Sequence, residues 1–297
     1  MTIASSQRVT QRSLSDRVGR NLQRNSAAMA RLQEQLSSGK LISKPSDSPT
    51  GTVSALRLRS EIRRAEQYRR NADDGIGWLG TADNTITDTL DTVRRARDLA
   101  LQGANVATDS TAREALSAEV AQLREHALVL ANTTYLGQPI FGGTGSATQA
   151  YSATGTYQGD TGVVARTIGP GVNVDVSLTG PTVFGPAGDD LFKVLDDIAQ
   201  HLGSSPDLLS ADVAKLDQAF LRLQDNVALV GARYHQVEAM GDRADSNKLD
   251  ATNQLAGVES IDLPETVMEL QLQEVAYQAA LGAASRVLQP SLVDFLR

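Results

Sequence analysis

VAKLDQAFLRLQDNVALVGARYHQV, residues 213–237, places apolar side chains at alternating steps of three and four residues. The apolar positions are Val213, Leu216, Phe220, Leu223, Val227, Val230, Tyr234 and Val237. This spacing is typical of a coiled-coil-like helix, and it continues as far as Leu255. Because no proline occurs between Pro206 and Pro264, a helix of about forty residues, about 60 Å long, can occupy this window. The sequence therefore predicts a mainly α protein, an elongated rod of long antiparallel helices.

A glycine motif, GIGWLG at residues 75–80, matches the dinucleotide-binding pattern G-x-G-x-x-G. That pattern requires an apolar strand before the glycines and a helix that begins at them. Here the motif follows SEIRRAEQYRRNADD, residues 60–74, which carries too many charges for a buried strand. Helical spacing of apolar residues instead runs through the motif, from Ile76 to Val93. We interpret these glycines as sites of close helix packing and expect no cofactor.

The composition favours no catalytic or metal chemistry. The chain has no cysteine, and its three histidines, His126, His201 and His235, lie far apart in the sequence. A disulfide framework and a thiolate metal site are thereby excluded. The glycine-rich stretch FGGTGS, residues 141–146, lacks the Lys-Ser/Thr pair of a phosphate-binding loop. We expect a non-enzymatic protein with no catalytic residue, no cofactor and no metal site.

Both chain ends are predicted to be amphipathic helices with narrow apolar stripes. The stripe residues are Val18, Leu22, Met29, Leu32 and Leu36 near the start, and Val267, Leu270, Tyr277, Leu281 and Leu288 near the end. Asn25 and Glu274 interrupt the two stripes. A stripe this narrow is only marginally stable alone and needs another helix to cover it. We therefore expect these residues to form an assembly interface.

Charge is distributed unevenly along the chain, whose net charge is -7. Residues 1–70 contain 14 of the 28 Lys and Arg but only 5 of the 35 Asp and Glu. The charged flanks of the terminal helices are Arg17, Arg24 and Arg31 at one end and Glu265 and Glu269 at the other. No aromatic residues interleave the arginines, so we expect no nucleic-acid partner. We interpret the flanks as weak pairing contacts, each worth about 0–1 kcal/mol.

The middle of the chain differs in composition and period. Twelve of the 24 glycines fall between Gly137 and Gly188, and VNVDVSL, residues 172–178, alternates like a half-buried strand. TYQG and VVARTI are weaker strand candidates, and Asp189 or Asp190 is expected to cap the helix that follows. About fifty residues form a core too small to be stable alone, so we expect the segment to pack against the helices. We nevertheless expect a Gly-Ser linker to replace residues 141–187 without loss of the helices.

LQEQLSSGKLISKPSDSPTGTVSALRLRSEI, residues 32–62, resembles the amino-terminal region shared by flagellins and flagellar hook-associated proteins, and YRRNADDGIGWL continues the likeness. LANTTYLGQPIFGGT, residues 130–144, is more similar to the hook-associated junction proteins than to flagellins. The closing sequence YQAALGAASRVLQPSLVDFLR is also more similar to the hook-associated junction proteins than to flagellins. Within the motif, Gly39 is placed to end the first helix in a left-handed conformation, and Ser48 to cap a helix entered through Pro49.

The resemblance covers roughly residues 8–140 and 190–297, and it implies a terminal bundle, a helical body and a small inserted β-rich domain. The implied segments are terminal helices at 1–45 and 259–297, body helices at 46–136 and 190–258, and a Gly-rich β domain at 137–189. It also implies a structural adaptor at the junction between hook and filament. A short flagellin is the alternative.

The same resemblance implies function by assembly outside the cell. The implied partners are further copies in a ring, the first hook-associated junction protein, flagellin, and an export chaperone at the carboxy-terminal helix. Export would use the flagellar type III apparatus without a cleaved signal peptide. No stretch approaches the roughly twenty apolar residues of a membrane span, so no membrane partner is expected. We expect residues 1–45 and 259–297 to be mobile in the monomer and to order on assembly.

Overall fold

The computed structural model describes residues 3–105, 108–145 and 147–288. In these ranges the chain forms seven α-helices, α1 to α7, and four short strands, β1 to β4. The helices are α1 Ile3–Ser38, α2 Pro49–Gly103, α3 Ser110–Ala131, α4 Gly180–Phe184, α5 Leu191–Ser204, α6 Leu209–Glu259 and α7 Leu263–Leu288. The strands are β1 Thr134–Tyr135, β2 Gln138–Pro139, β3 Ala165–Gly169 and β4 Val172–Asp175. The prediction of a mainly α protein with a small β insertion is confirmed.

The chain divides into two units, Met1–Ile62 with Leu249–Arg297, and Arg63–Lys248. In the second unit α2 and α6 run antiparallel, because Arg69 pairs with Asp245 (3.2 Å) and Arg97 pairs with Asp217 (2.7 Å). The shorter helix α3 packs against α5. These helices and the strands enclose one hydrophobic core.

Helix α6 has the core-facing stripe that the sequence predicts. Leu216, Leu223, Val230 and Val237 are buried. The stripe residues between them, Phe220, Val227 and Tyr234, are half-buried against the same core. The helix is 51 residues long, which corresponds to about 75 Å. The apolar repeat therefore gives the helix and its buried side correctly, although the helix is longer than predicted.

The GIGWLG motif lies inside α2, as its helical spacing predicts. A methyl group at Gly75 would contact Val176 at 3.2 Å and Val237 at 3.4 Å. At Gly77 it would overlap the hydroxyl of Tyr135 and come within 2.8 Å of the ring carbon Cζ. These two glycines therefore allow close approach of neighbouring elements, and they do not form a nucleotide loop.

Opposite effects are expected for alanine at two glycines of this motif. Gly77→Ala should lower stability by about 1 kcal/mol, because overpacking against Tyr135 costs about 1–3 kcal/mol and the gain in helix propensity is about 1 kcal/mol. Tyr135 cannot move away freely, since its ring packs edge-on against Trp78 with centroids 5.7 Å apart. Gly80 has no atom within 4 Å of the added methyl group. Gly80→Ala, the matched control, should stabilise α2 by about 1 kcal/mol.

Urea denaturation of the two variants beside the wild type measures both changes. If the urea midpoint of Gly77→Ala lay above that of the wild type, the close packing at this position would not limit the size of the side chain there.

The predicted helix boundaries are found in the structure. Gly39 has φ +68°, in the left-handed region, and ends α1. Ser48 Oγ accepts a hydrogen bond from the backbone N–H of Gly51 (3.1 Å) at the start of α2. Asp190 caps α5 by accepting from the N–H of Lys193 (2.9 Å). The capping residues therefore set where these helices begin and end.

The β segment begins with a hairpin that the sequence reading missed. β1 pairs with β2 through a turn in which Leu136 (φ 49°) and Gly137 (φ 80°) are both left-handed, as a two-residue hairpin turn requires. β3 pairs antiparallel with β4, from Ala165 opposite Asp175 to Gly169 opposite Val172. The predicted strand at 172–178 is regular only as far as Asp175. Of TYQG, only Tyr157 makes a bridge, to Tyr151.

The β segment shares the helices' core. Phe141, Val176 and Phe184 are at most 1% exposed and belong to the same buried cluster as α2, α5 and α6. Polar contacts also join the segment to α2: Arg166 Nε lies 2.6 Å from an Asp74 carboxylate oxygen, and the Asn71 amide donates to the carbonyl of Thr167 (2.6 Å). The prediction that the segment packs against the helices is confirmed. Because the segment supplies part of the core of the long helices, the structure argues against the expectation that a linker can replace it, and we expect the replacement to destabilise those helices.

Candidate assembly surface

The terminal helices α1 and α7 pack against each other in antiparallel register. The Gln273 amide donates to the carbonyl of Asn25 (3.2 Å) in the middle of the pair. At its end the N–H of Ile261 donates to the carbonyl of Gly39 (3.3 Å). Residue numbers on the two helices therefore run in opposite directions along the seam between α1 and α7.

The predicted stripe residues are mostly half-buried along this seam. The half-buried ones are Val18, Leu22, Met29, Leu32 and Leu36 on α1, and Val267, Leu270 and Tyr277 on α7. Leu281 is 44% exposed, so α1 does not cover it; Ala284, 4% exposed, is the buried residue of that turn. Leu288 lies outside the residues whose side chains the structure describes. That these residues form an assembly interface remains a proposal.

Polar residues complete the seam, and the sequence reading missed them. Gln35 and Thr266 are both 7% exposed, and Gln273 is half-buried. Thr266 Oγ1 is satisfied by the carbonyl of Asp262 (2.7 Å), whose carboxylate also accepts from the N–H of Glu265 (3.1 Å) at the start of α7. These polar residues are spaced three or four positions from the apolar stripe residues, and this spacing is the signal by which the sequence could have placed them in the seam. A reading confined to apolar side chains passes over them.

The predicted charged flanks are exposed. Arg17, Arg24, Arg31, Glu265 and Glu269 all face solvent, and none forms an ion pair within the described residues. The register places Arg31 level with Glu269, whereas Glu265 lies nearer to Gln35. Exposed long side chains lose entropy when they pair and gain little Coulomb energy in water. Pairing between these flanks therefore remains a proposal of small expected energy.

The turn between α1 and α2 is fixed by Asp47. Its carboxylate accepts from the backbone N–H of Lys44 (2.9 Å) and of Ser43 (3.1 Å). The Lys44 N–H is the main cause that holds the pKa of Asp47 below its usual value, with Ser43 and Arg31 acting in the same direction. This turn holds the chain in the bend that leads from the terminal pair into α2.

Helix α7 has a second apolar side that none of the described residues of the unit covers. Met268, Leu272 and Val275 are 64%, 72% and 63% exposed. Their spacing of four and three residues places them in one stripe, nearly opposite the residues that face α1. We name these three residues the outer stripe of α7. Of the α1 side chains that the structure describes, residues 13 and 15–38, no large apolar one is exposed.

In residues 3–105, 108–145 and 147–288, no group of three or more His, Asp or Glu side chains is arranged to hold a metal ion. None of the helices there combines the length and apolarity that crossing a bilayer requires.

Residues 9–146 match the family described as the bacterial flagellin N-terminal helical region. Flagellin B of Vibrio anguillarum is 38% identical to the chain over 104 residues, which are 35% of this chain and 28% of that protein. A flagellin of Bacillus subtilis is 22% identical over 284 residues, 90% of this chain and 92% of the relative. The chain thus spans less than a third of the first of these flagellins.

Solved structures share the fold at low sequence identity. FlgL of Bacillus cereus superposes with a TM-score of 0.60 at 20% identity, covering 67% of this chain and 99% of that one. The flagellar junction protein FlgL of Legionella pneumophila gives a TM-score of 0.57 at 15% identity, covering 70% and 100%. The likeness therefore includes helices from both halves of the sequence.

Proposed function

Because residues 9–146 match the bacterial flagellin N-terminal helical region, we propose that the protein is a structural subunit of the bacterial flagellum and acts by assembly. It carries out no reaction. Its function is to pack against further copies of itself and against neighbouring flagellar proteins. The extracellular flagellum is its place of action.

The observation that carries this proposal is the two-sided α7. One side packs on α1, while the outer stripe exposes three large apolar side chains in a row. Burying each such side chain is worth about 1.5–3 kcal/mol relative to leaving it in water. Contiguous exposed apolar surface of this kind marks an interaction site. We assign the outer stripe to contact with neighbouring subunits in the assembled structure.

We place the subunit at the junction between hook and filament. The fold that it shares with the FlgL structures, one of which is a flagellar junction protein, supports this assignment. The sequence LANTTYLGQPIFGGT supports it as well; here it forms the end of α3 and the β1–β2 hairpin. A short flagellin is the second candidate, and the 38% identity to a flagellin over 104 residues favours it.

The finer details follow from the junction assignment. The neighbours would be a ring of copies, the first hook-associated junction protein on one side and flagellin on the other. An export chaperone would cover the carboxy-terminal helix before assembly, and export through the flagellar type III apparatus would need no cleaved signal peptide. The outer stripe suits both roles, since the same apolar residues need cover before and after export.

Polar substitution of the outer stripe tests the proposal in a strain that lacks the chromosomal gene. Met268→Gln, Leu272→Gln and Val275→Gln together keep helix-forming residues but remove the apolar surface. We expect the triple variant to be exported, to accumulate in the medium and to be absent from purified flagella. Immunoblots of the medium and the flagellar fraction measure this partition.

A matched control carries Val129→Gln, Leu136→Gln and Leu208→Gln, three exposed apolar residues outside the terminal helices. This variant should be retained on flagella like the wild type. Retention of the outer-stripe variant at the wild-type level would refute the assignment. Far-UV circular dichroism of both purified variants shows that their helix content is intact.

A further inference from the structure

A cavity lies within the unit formed by residues 63–248, beside the first turn of α5. Its wall is formed by Arg124 from α3, by residues from 151–157, by Pro181 from α4 and by Phe192 from α5. The volume of the cavity is about 450 Å³, and sites for small molecules have volumes of about 300–1,000 Å³. The cavity is therefore large enough for a small-molecule ligand.

Two hydrogen-bond donors in this wall have no partner among the described residues. They are the hydroxyl of Tyr151 and the Nε–H of Arg124. Tyr151 is only 2% exposed, and the side chain of Arg124 is 17% exposed. Buried donors in native proteins are nearly always satisfied, because an unpaired one destabilises the fold. Two such donors in one cavity therefore indicate that something inside it accepts their hydrogen bonds.

Tyr151 is fixed in the wall by its backbone and by its ring. Its N–H donates to Oδ1 of Asn132 (2.8 Å), and its carbonyl accepts from the Asn132 amide (3.0 Å). Its ring packs edge-on against Phe184 and Phe192, with centroids 5.6 Å and 4.8 Å apart. The hydroxyl of Tyr151 therefore cannot turn away to find a partner elsewhere.

The charge near Tyr151 favours a neutral occupant. Burial, followed by the negative charge of Asp190, raises the pKa of the Tyr151 hydroxyl well above its usual value. The hydroxyl therefore stays protonated and donates, while the same negative charge repels an anion from it. The Asp190 carboxylate accepts from the N–H groups of Lys193 (2.9 Å) and Gly188 (3.3 Å) and still has lone pairs to offer. A neutral hydroxyl can accept from Tyr151 and donate to Asp190 at the same time.

We propose that this cavity binds a neutral saccharide of one or two hexose units. One sugar hydroxyl would pair with Tyr151 and Asp190, and a second oxygen would accept from Nε of Arg124. Pro181 and Phe192 supply apolar surface for the C–H groups of the ring. A saccharide combines these apolar groups with hydroxyls that both donate and accept, which is what the wall of the cavity requires.

Saturation-transfer-difference NMR on the full-length protein tests the site. Glucose, galactose, mannose and N-acetylglucosamine serve as separate probes. We expect transfer to at least one of them, with a dissociation constant of about 1 mM, because a hexose is a small ligand with few apolar atoms. The methyl glycoside of that sugar distinguishes two sources. A glycoside that binds as well as the sugar indicates the end of a glycan chain, and one that binds less well indicates a free sugar.

Tyr151→Phe removes only the unpaired hydroxyl and should weaken binding by about tenfold. Tyr135→Phe makes the same chemical change outside the cavity, so it is the matched control and should leave the dissociation constant unchanged within about twofold. Arg124→Lys keeps the positive charge but removes the Nε donor, and it should also weaken binding by about tenfold. Thermal melting followed by circular dichroism checks that all three variants fold.

Three results would overturn the proposal. The first is no transfer to any probe at concentrations far above the expected dissociation constant, which would show that the cavity holds water only. The second is binding that survives both Tyr151→Phe and Arg124→Lys at the wild-type strength. The third is an equal loss of binding in Tyr151→Phe and Tyr135→Phe. All readouts are on the isolated protein, so the result is independent of the proposed flagellar role.

Discussion

Replacement of residues 141–187 by a short Gly-Ser linker is expected to unfold the unit formed by residues 63–248. The replacement removes Phe141, Tyr151, Phe184 and the strands β3 and β4 from a core that they share with the long helices. Truncation of a single buried phenylalanine costs about 3–5 kcal/mol, and a whole domain is stable by only about 5–15 kcal/mol. Thermal melting followed by far-UV circular dichroism should show no cooperative transition for this unit.

Two point variants serve as calibration for that result. Phe184 is 1% exposed and packs edge-on against Phe141 with ring centroids 5.1 Å apart. Phe184→Ala should therefore cost about 3–5 kcal/mol. Leu136 is 81% exposed, and Leu136→Ala should change stability by less than about 0.5 kcal/mol. A linker variant that melts like the wild type would show that the β segment is separable after all.

The long helices could be predicted because a single physical requirement fixes them. A helix that buries one side must repeat apolar residues every three or four positions, and the stretch from Val213 to Val237 does so without interruption. The glycines of GIGWLG were correctly placed in a helix by the same rule. Ends of helices followed from local chemistry, since Gly39, Ser48 and Asp190 cap with their own backbone or side chain.

The importance of the β segment could not be predicted in the same way. Its glycines and prolines indicate turns, but they do not show how deeply single aromatic residues are buried. Tyr151, Phe184 and Phe192 meet from three separate stretches, with ring centroids 4.8–5.6 Å apart. Contacts of this kind depend on the tertiary arrangement. Composition alone therefore suggested a dispensable insertion.

The candidate site was found only in part. The sequence reading gave α7 one apolar stripe and passed over Met268, Leu272 and Val275, although their helical spacing is visible in the sequence. Residues of the two stripes are interspersed along the sequence of α7. Only their exposed fractions show which stripe is covered and which faces solvent.

Loss of the gene should remove the filament and spare the hook. A junction subunit is needed only where the filament begins, so hook assembly is expected to proceed and flagellin export to continue. Exported flagellin would then find no surface on which to polymerise and would escape from the cell. A short flagellin would behave differently, since its loss removes filament protein and leaves no stranded subunits.

The measurement is therefore electron microscopy of the deletion strain together with an immunoblot of its medium for flagellin. The junction assignment predicts cells that bear hooks without filaments and a medium that contains monomeric flagellin, with both changes reversed by the wild-type gene. Normal filaments on the deletion strain, or bare hooks with no flagellin in the medium, would contradict it.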